Sequence, residues 1–379
     1  MALRLKTDWI LFTTIICVVF FGAVMIYSAS SVMAELKFNS STYFVLRQAL
    51  WVVAGLAVFM LMKRIHYRKL QQSGVAFSAL AITLVLLLAV YFLDSHQHRW
   101  IRMGFIGLQP SELAKPALVI FLAFFLALRS RAINNRFTVM PAALAVGFVA
   151  VGVVIADLGT AVVLGCTAAM IFYVAGLKFR YFVVAGLIAS CGVAYTIYQK
   201  PYRLRRVVEY VDPGYKILSK WDKQGLIKAR LEKSLTTKDT NYQSEQAKIA
   251  VGVGGITGQG LMQGRQKLLY LPEAHTDEIY AVVGEELGML GCAGVLIAFL
   301  IILWRGIRAT VLIPDDFGRY LALGITTMIV MQAFMNMTVV LGMAPTKGIP
   351  LPMISFGGSS LLSTMASLGL LLNISEHAG

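Results

Sequence analysis

The sequence predicts an all-α polytopic membrane protein, with ten transmembrane helices and a large extracytoplasmic loop between helices 7 and 8. Three observations predict it. The chain of 379 residues is 58% hydrophobic and 14% charged, whereas soluble domains carry about a quarter charged residues. Apolar runs of about 20 residues recur along it, each long enough to cross a bilayer as a helix. The runs are continuous, which excludes the alternating pattern of a transmembrane β-barrel.

The spans fall at 9–30, 44–62, 74–93, 111–128, 138–156, 159–177, 180–198, 280–304, 318–343 and 355–374. The first follows Arg4, Lys6 and Asp8. It is too long for the apolar region of a signal peptide and is read as a retained helix. Residues 1–379 thus form a single integral membrane domain, with 199–279 as its large loop. The cysteines Cys17, Cys166, Cys191 and Cys292 all sit inside apolar runs without metal-site spacing, as core or lipid-facing residues do.

Loop charge orients the spans. Arg4, Lys6, Lys63, Arg64, Arg68, Lys69, Arg129, Arg131, Arg136, Lys178, Arg180, Arg305, Arg308 and Arg319 all fall on one side. The short loops of the other side carry only Lys37, Arg99, Arg102 and Lys347. The positive-inside rule places both termini in the cytoplasm. It also accounts for the net charge of +15 without a nucleic-acid partner. The 199–279 loop is basic, but long loops are exempt from the rule, and span parity puts it outside. Within it, 214–235 has the pattern of an interfacial amphipathic helix or a solvated basic one.

The polar residues that composition does not explain share the outer side. They are His98, Arg99 and Arg102, the segment Gln109 to Lys115, Asp157, the segment ending at Asp277, Lys347, and Ser355 to Ser359. Polar groups at membrane helix mouths are costly and mark pathways or sites. Pro110 and Glu112 suit a helix start. Glu112 and Lys115 share a helix face, as a local ion pair or as part of a cavity. Arg99 and Arg102 suit bidentate phosphate contact and Lys347 a point charge on it, with headgroup anchoring as the alternative for each. Gly357 and Gly358 open the last helix, either to present N–H groups to an anion or to let helices approach closely. The run GVGGITGQG lacks the Lys-Ser/Thr ending of a P-loop and reads as a re-entrant or flexible segment.

Asp277 is the best candidate for chemistry. It follows His275 and Thr276 just before an apolar helix. There it serves as a general base if burial raises its pKa, or as a helix N-cap. Glu285 and Glu286 lie roughly 12–14 Å further along that helix, within the membrane. Such a pair needs a proton, a cavity or a cation, so at least one is expected to pair with a lysine or arginine of another span. The histidines show no zinc spacing.

Four segments carry a family resemblance: RWIRMGFIGLQPSELAK, YQSEQAKIAVGVGGITGQGL, KLLYLPEAHTDEIYAVVGEELGMLG and APTKGIPLPMISFGGSSLL. In this order they resemble signature segments of the SEDS (shape, elongation, division and sporulation) family, the FtsW, RodA and SpoVE proteins. PEAHTD and the KGIPLPMISFGGSSLL ending look closer to FtsW than to RodA.

The resemblance implies a peptidoglycan glycosyltransferase of the bacterial cytoplasmic membrane, acting in cell division or cell-shape maintenance. It would polymerise lipid II at the extracytoplasmic face, with Asp277 matching the family's catalytic carboxylate and Glu112 and Lys115 matching sensitive positions near the cavity. It implies a class B penicillin-binding protein transpeptidase as partner, beside other divisome or elongasome membrane proteins. The leaving polyprenyl pyrophosphate would be met by Arg99, Arg102, Lys115 or Lys347, or by a divalent cation such as Mg2+ or Mn2+, with Ser355 also on the substrate side and His275, Thr276, Glu285 and Glu286 in support. A lipid II flippase and a non-catalytic transpeptidase scaffold are the alternatives.

Three departures from the family pattern stand out. Glu278 follows Asp277 where a large apolar residue is expected. Val154-Ile155-Ala156 precedes Asp157 where Glu/Gln-Pro is usual, which weakens any role for Asp157 carried over from the family. The stretch 212–242 is longer than usual.

Overall fold

The computed structural model describes residues 7–94, 99–103, 106–199, 201–212, 240–267, 271–345 and 348–378. Its described residues form twelve α-helices: α1 (Trp9–Phe38), α2 (Tyr43–Arg64), α3 (Ser73–Leu93), α4 (Pro110–Leu128), α5 (Arg136–Ala156), α6 (Leu158–Val174), α7 (Phe179–Gln199), α8 (Pro201–Val211), α9 (Thr240–Gly254), α10 (Ile279–Leu312), α11 (Asp316–Val340) and α12 (Gly358–His377). Nine are long and apolar enough to cross a membrane, and the 17-residue α6 is a shorter apolar one. The chain is a multi-pass helical membrane protein. Short antiparallel strands β1 (Ile101–Met103) and β2 (Ile106–Leu108) pair where a loop was expected. The 214–235 segment lies outside the described residues.

Helix starts follow local chemistry. The Asp8 carboxylate accepts from the Leu11 amide at 3.1 Å and begins α1. Pro110 opens α4, where its missing N–H costs nothing, with Glu112 in the first turn. Asp157 caps α6, accepting from the amides of Gly159 (2.9 Å) and Thr160 (3.1 Å). Helices α4, α11 and α12 are buried over most of their length and form the centre, and α7 has no buried residue. Lipid tails are as apolar as leucine, so packing rather than hydrophobicity joins the helices. Gly358 shows this: a Cβ there would stand 2.1 Å from the Trp51 ring, so the glycine serves close approach.

The end of the bundle opposite Asp277 is closed by ion pairs. Arg305 meets Asp8 at 2.7 Å, Lys63 meets Glu376 at 3.2 Å, and Arg68 meets Asp315 at 3.2 Å.

The sequence reading ran the eighth span straight through 280–304. The structure breaks it. Gly288 takes φ 64°, a conformation that favours glycine, in the first third of α10. After α9 the chain runs alongside this break. Gln259 and Gly260 donate to the carbonyls of Glu285 and Glu286, both at 3.0 Å, while Met289 and Leu290 donate to the carbonyls of Gly255 (2.9 Å) and Ile256 (3.2 Å). Four main-chain groups of α10 at the break are therefore satisfied by loop backbone, as a membrane interior requires. The break lies nine residues past Ile279, roughly 14 Å along the helix. The glycine-rich run GVGGITGQG is thus re-entrant.

The two glutamates beside the break hold that segment. Glu285 accepts from the amides of Arg265 (2.6 Å) and Gln266 (3.1 Å). Glu286 accepts from Ser28 at 2.6 Å, Lys267 at 2.6 Å and the Met262 amide at 3.0 Å. The cation expected from another span instead comes from the long loop itself, because the re-entrant chain carries Lys267 down to Glu286. Among the described residues neither glutamate makes a hydrogen bond or ion pair to those around Asp277.

Candidate active site

Asp277 sits at the mouth of α10 on a short turn. Glu273 takes φ 55°, and its carbonyl accepts from the amides of Thr276 (3.0 Å) and Glu278 (3.3 Å). Thr276 closes the turn through its hydroxyl, 3.0 Å from the Glu273 carboxylate. The His275 ring is buried, its centroid 4.7 Å from that of Phe44 and 5.8 Å from that of Phe356. That apolar setting holds its pKa below the ordinary histidine value and keeps it neutral.

Three successive carbonyls of this turn are each taken by a donor from elsewhere. The Phe356 amide donates to His275 O at 2.9 Å, the Ser355 hydroxyl to Thr276 O at 2.5 Å, and Asn336 Nδ2 to Asp277 O at 2.7 Å. Asn336 also donates to Ile349 O at 2.8 Å. Ser355 in turn accepts from the Leu351 amide at 2.8 Å. Segment 348–357 and α11 therefore clamp the main chain of 275–277 and leave the side chain of Asp277 to project.

That side chain is not a helix cap. Glu278 occupies the cap position of α10 and makes no capping bond either. Among the described residues nothing donates a hydrogen bond to the Asp277 carboxyl. Gly348 lies against it, and a Cβ there would stand 2.6 Å from its Oδ2. Burial pushes the Asp277 pKa up to about 7, with Glu273 and Asp157 adding to the rise and Arg99 and Arg206 opposing it. A carboxyl of this kind is poised to take a proton near neutrality.

Arg99 is the first of two cations facing it, with Arg206 the other. The Arg99 guanidinium contacts Asp157 at 3.4 Å and the Gly348 carbonyl at 3.3 Å, and among the described residues its Nε has no partner. Asp94 fixes its main chain, accepting from the amides of Arg99 (3.1 Å) and Trp100 (3.2 Å). One buried N–H thus remains for an anionic ligand beside the base.

The other expected residues divide. Glu112 and Lys115 form a buried ion pair at 2.8 Å, and Lys115 also donates to Gln332 Oε1 at 2.5 Å. Gln332 passes the support on, donating to Pro350 O at 2.9 Å. This pair braces segment 348–357 from within the core, and the Lys115 charge is neutralised. Arg102 is exposed on β1, away from the Asp277 carboxyl. Lys347 lies outside the described residues. Among those residues no group of three or more His, Cys, Asp and Glu assembles to hold a metal.

Four residues emerge that sequence reasoning passed over or set aside. Gln332 and Asn336 stand four apart in the apolar run MQAFMNM, so they share one face of α11, and that polar pair is the signal that was available. Asp157 caps α6 and also holds Arg99, which gives it the place at the site that its neighbours Val154-Ile155-Ala156 argued against. Arg206 of α8 faces Asp277 and Glu278 electrostatically, and the basic run YRLRRVVEY marks it.

The family model described as Cell cycle protein, FTSW_RODA_SPOVE, matches residues 8–379. The chain belongs to this family. It is 37% identical over 375 residues to "Probable peptidoglycan glycosyltransferase FtsW" of Geobacter sp. (strain M18), covering 98% of this chain and 97% of that protein. It is 35% identical over 362 residues to "Stage V sporulation protein E" of Bacillus subtilis (strain 168), covering 94% and 93% respectively. Among solved structures it resembles a chain from work on the structural coordination of polymerization and crosslinking by a peptidoglycan synthase complex, with TM-score 0.74, 25% identity and 98% of both chains covered. The fold also matches the rod shape determining protein RodA of Thermus thermophilus, with TM-score 0.66, 23% identity, and 99% and 98% of the two chains covered.

Proposed function

We propose that this chain, a peptidoglycan glycosyltransferase of the FtsW/RodA/SpoVE family, polymerises lipid II into glycan strands in a single inverting displacement with Asp277 as general base. The observation that carries the reading is the clamped 275–277 main chain, which presents one unbonded, partly buried carboxyl beside a cation. Asp277 takes the proton from the 4-hydroxyl of the acceptor GlcNAc. That oxygen attacks the anomeric carbon of the donor MurNAc, and the bonding pair leaves with polyprenyl pyrophosphate. The free Nε–H of Arg99 meets the leaving phosphate, where a charge-assisted bond is strongest. Arg206 adds positive charge facing Asp277, whereas Lys115 acts through Glu112 and Gln332 by holding the 348–357 segment.

The same reading places Asp277 at the extracytoplasmic face of the bacterial cytoplasmic membrane, since the positive loops lie at the opposite end. A class B penicillin-binding protein is the partner. The related chain solved within a peptidoglycan synthase complex supports that. A flippase would need its broken helix to line a path. Here the break in α10 is filled by loop backbone, which favours the enzyme.

The pH profile tests the base. Asp277 must be ionised to act, and its pKa is about 7. The kcat for labelled lipid II at saturation should therefore rise with pH and reach half its maximum near 7. A rate independent of pH through this window would sink the assignment.

Gly348→Ala tests the geometry. Its new methyl would stand 2.6 Å from Asp277 Oδ2 and 3.7 Å from Arg99 Nη1. Displacing a base by a fraction of an ångström should cost about tenfold to a hundredfold in polymerisation rate. The melting temperature, read by fluorescence-detected size exclusion, should fall little. Full activity would show that the Asp277 carboxyl is not held where it reacts.

A further inference from the structure

Glu278 is the residue that the proposed reaction leaves unused. Its side chain is 3% exposed. Its Oε1 accepts one bond, from Gln243 Nε2 of α9 at 3.0 Å, and its Oε2 has no partner among the described residues. The other buried acids are treated differently. Glu286 has three donors, one of them an ammonium, and Glu285 has two main-chain amides. Asp157 has two amides, a hydroxyl and a guanidinium. Such donor sets offset the cost of burying a carboxylate, whereas Glu278 is enclosed with one neutral donor; Asp277, which has none, is only half-buried, so water can still solvate its charge.

The groups facing Glu278 are Asp277 from its own turn, Gln243 from α9 and Arg206 from α8. Arg206 also faces Asp277, together with Arg99, Asp157 and Glu273. Glu278 is the more enclosed of the two carboxyls and so the costlier to ionise, and the like charge of Asp277 discourages its ionisation further.

We infer that Glu278 is a positioning residue that holds the one proton of an Asp277–Glu278 carboxyl pair, so that the pair meets the substrate's pyrophosphate with a single negative charge. This rests on the reading of Asp277 as the base. The proton count closes. Before attack the proton is on Glu278 and Asp277 is ionised. The acceptor hydroxyl proton passes to Asp277, the pyrophosphate departs with the electron pair of the broken C–O bond, and Asp277 returns its proton to water. When Glu278 ionises at higher pH, Asp277 is still a base, but a second negative charge faces the pyrophosphate. Substrate binding weakens, and turnover of bound substrate does not.

The experiment is the pH dependence of KM and kcat for labelled lipid II, using the full chain with its cognate transpeptidase. In the natural protein KM should rise on the alkaline side, by up to about tenfold per pH unit once Glu278 ionises, and level off where the bound complex ionises too. Glu278→Gln mimics the protonated form and should abolish that rise while keeping the acid limb set by Asp277. Glu278→Asp should restore the rise. An alkaline rise of KM unchanged in Glu278→Gln overturns the inference.

Should Glu278→Gln fail to fold, infrared spectroscopy of Asp277→Asn protein carrying isotope-labelled glutamate replaces it. A protonated glutamate carbonyl band must be present at neutral pH and disappear at lower pH than in the natural protein. Its absence overturns the inference. Because this readout needs no turnover, polymerisation by Asp277→Asn would sink the base assignment and leave the infrared result standing.

Discussion

Asp277→Asn should abolish lipid II polymerisation, with a loss of about a hundredfold to ten-thousandfold, the usual contribution of a positioned base. Asparagine keeps the size and polarity of the side chain, and the clamp from Phe356, Ser355 and Asn336 acts on main-chain carbonyls, so the turn should persist. Stability should move the other way. The Asp277 pKa is raised from 3.8 to about 7 in the folded chain, so across that window the folded state binds more protons than the unfolded one. Stability contributed by this group is present at low pH and lost as pH rises through the folded value. Above it the natural protein carries a buried negative charge that the asparagine variant lacks. The variant should therefore melt at an equal or higher temperature than the natural protein at alkaline pH, with the gap closing on acidification. Labelled lipid II on gels reads the first effect and fluorescence-detected size exclusion the second. Wild-type polymerisation by the variant would remove Asp277 from the chemistry.

Lys267→Met should be among the most destabilising single changes in the chain. It strands the Glu286 carboxylate, which is fully enclosed and whose strongest partner is the Lys267 ammonium at 2.6 Å. Removing one partner of a buried pair costs about 3–5 kcal/mol, because the remaining charge is uncompensated. The expected result is a sharp fall in yield and melting temperature. The double variant Lys267→Met with Glu286→Gln should recover most of the loss, since it leaves no unpaired charge and Ser28 and the Met262 amide can still bond the amide oxygen. Loss of the pair should also free the re-entrant segment from α10 and lower activity in whatever protein survives. A single variant as stable as the parent would mean that Glu286 is neutral in the native protein.

Asp277 and Lys267 differ in how plainly the sequence marks them. Asp277 was legible because a carboxylate next to an apolar run is costly in any membrane protein, and because HTDE lies in a segment with a family likeness. Lys267 was legible only as one of many basic loop residues. Its partner stands nineteen positions away across the re-entrant turn, and Ser28 joins them from 258 positions away. Glu285 and Glu286 were recognised as needing compensation, but hydropathy cannot say that a glycine-rich loop will supply it. Asn336 reaches Asp277 across 59 positions and looked like one polar residue in an apolar helix.

The sequence by itself determined the helical membrane class, the order of the spans, the side on which the positive loops collect, and the position of Asp277 at a helix mouth. These follow from local composition, because the cost of placing a polar group in hydrocarbon is incurred residue by residue. Only the tertiary structure decided that α10 breaks at Gly288, that Lys115 is neutralised by Glu112 and Gln332, and that three foreign donors hold the turn before the base. Those facts depend on which distant backbone groups lack a partner, and in a membrane each must find one within the protein.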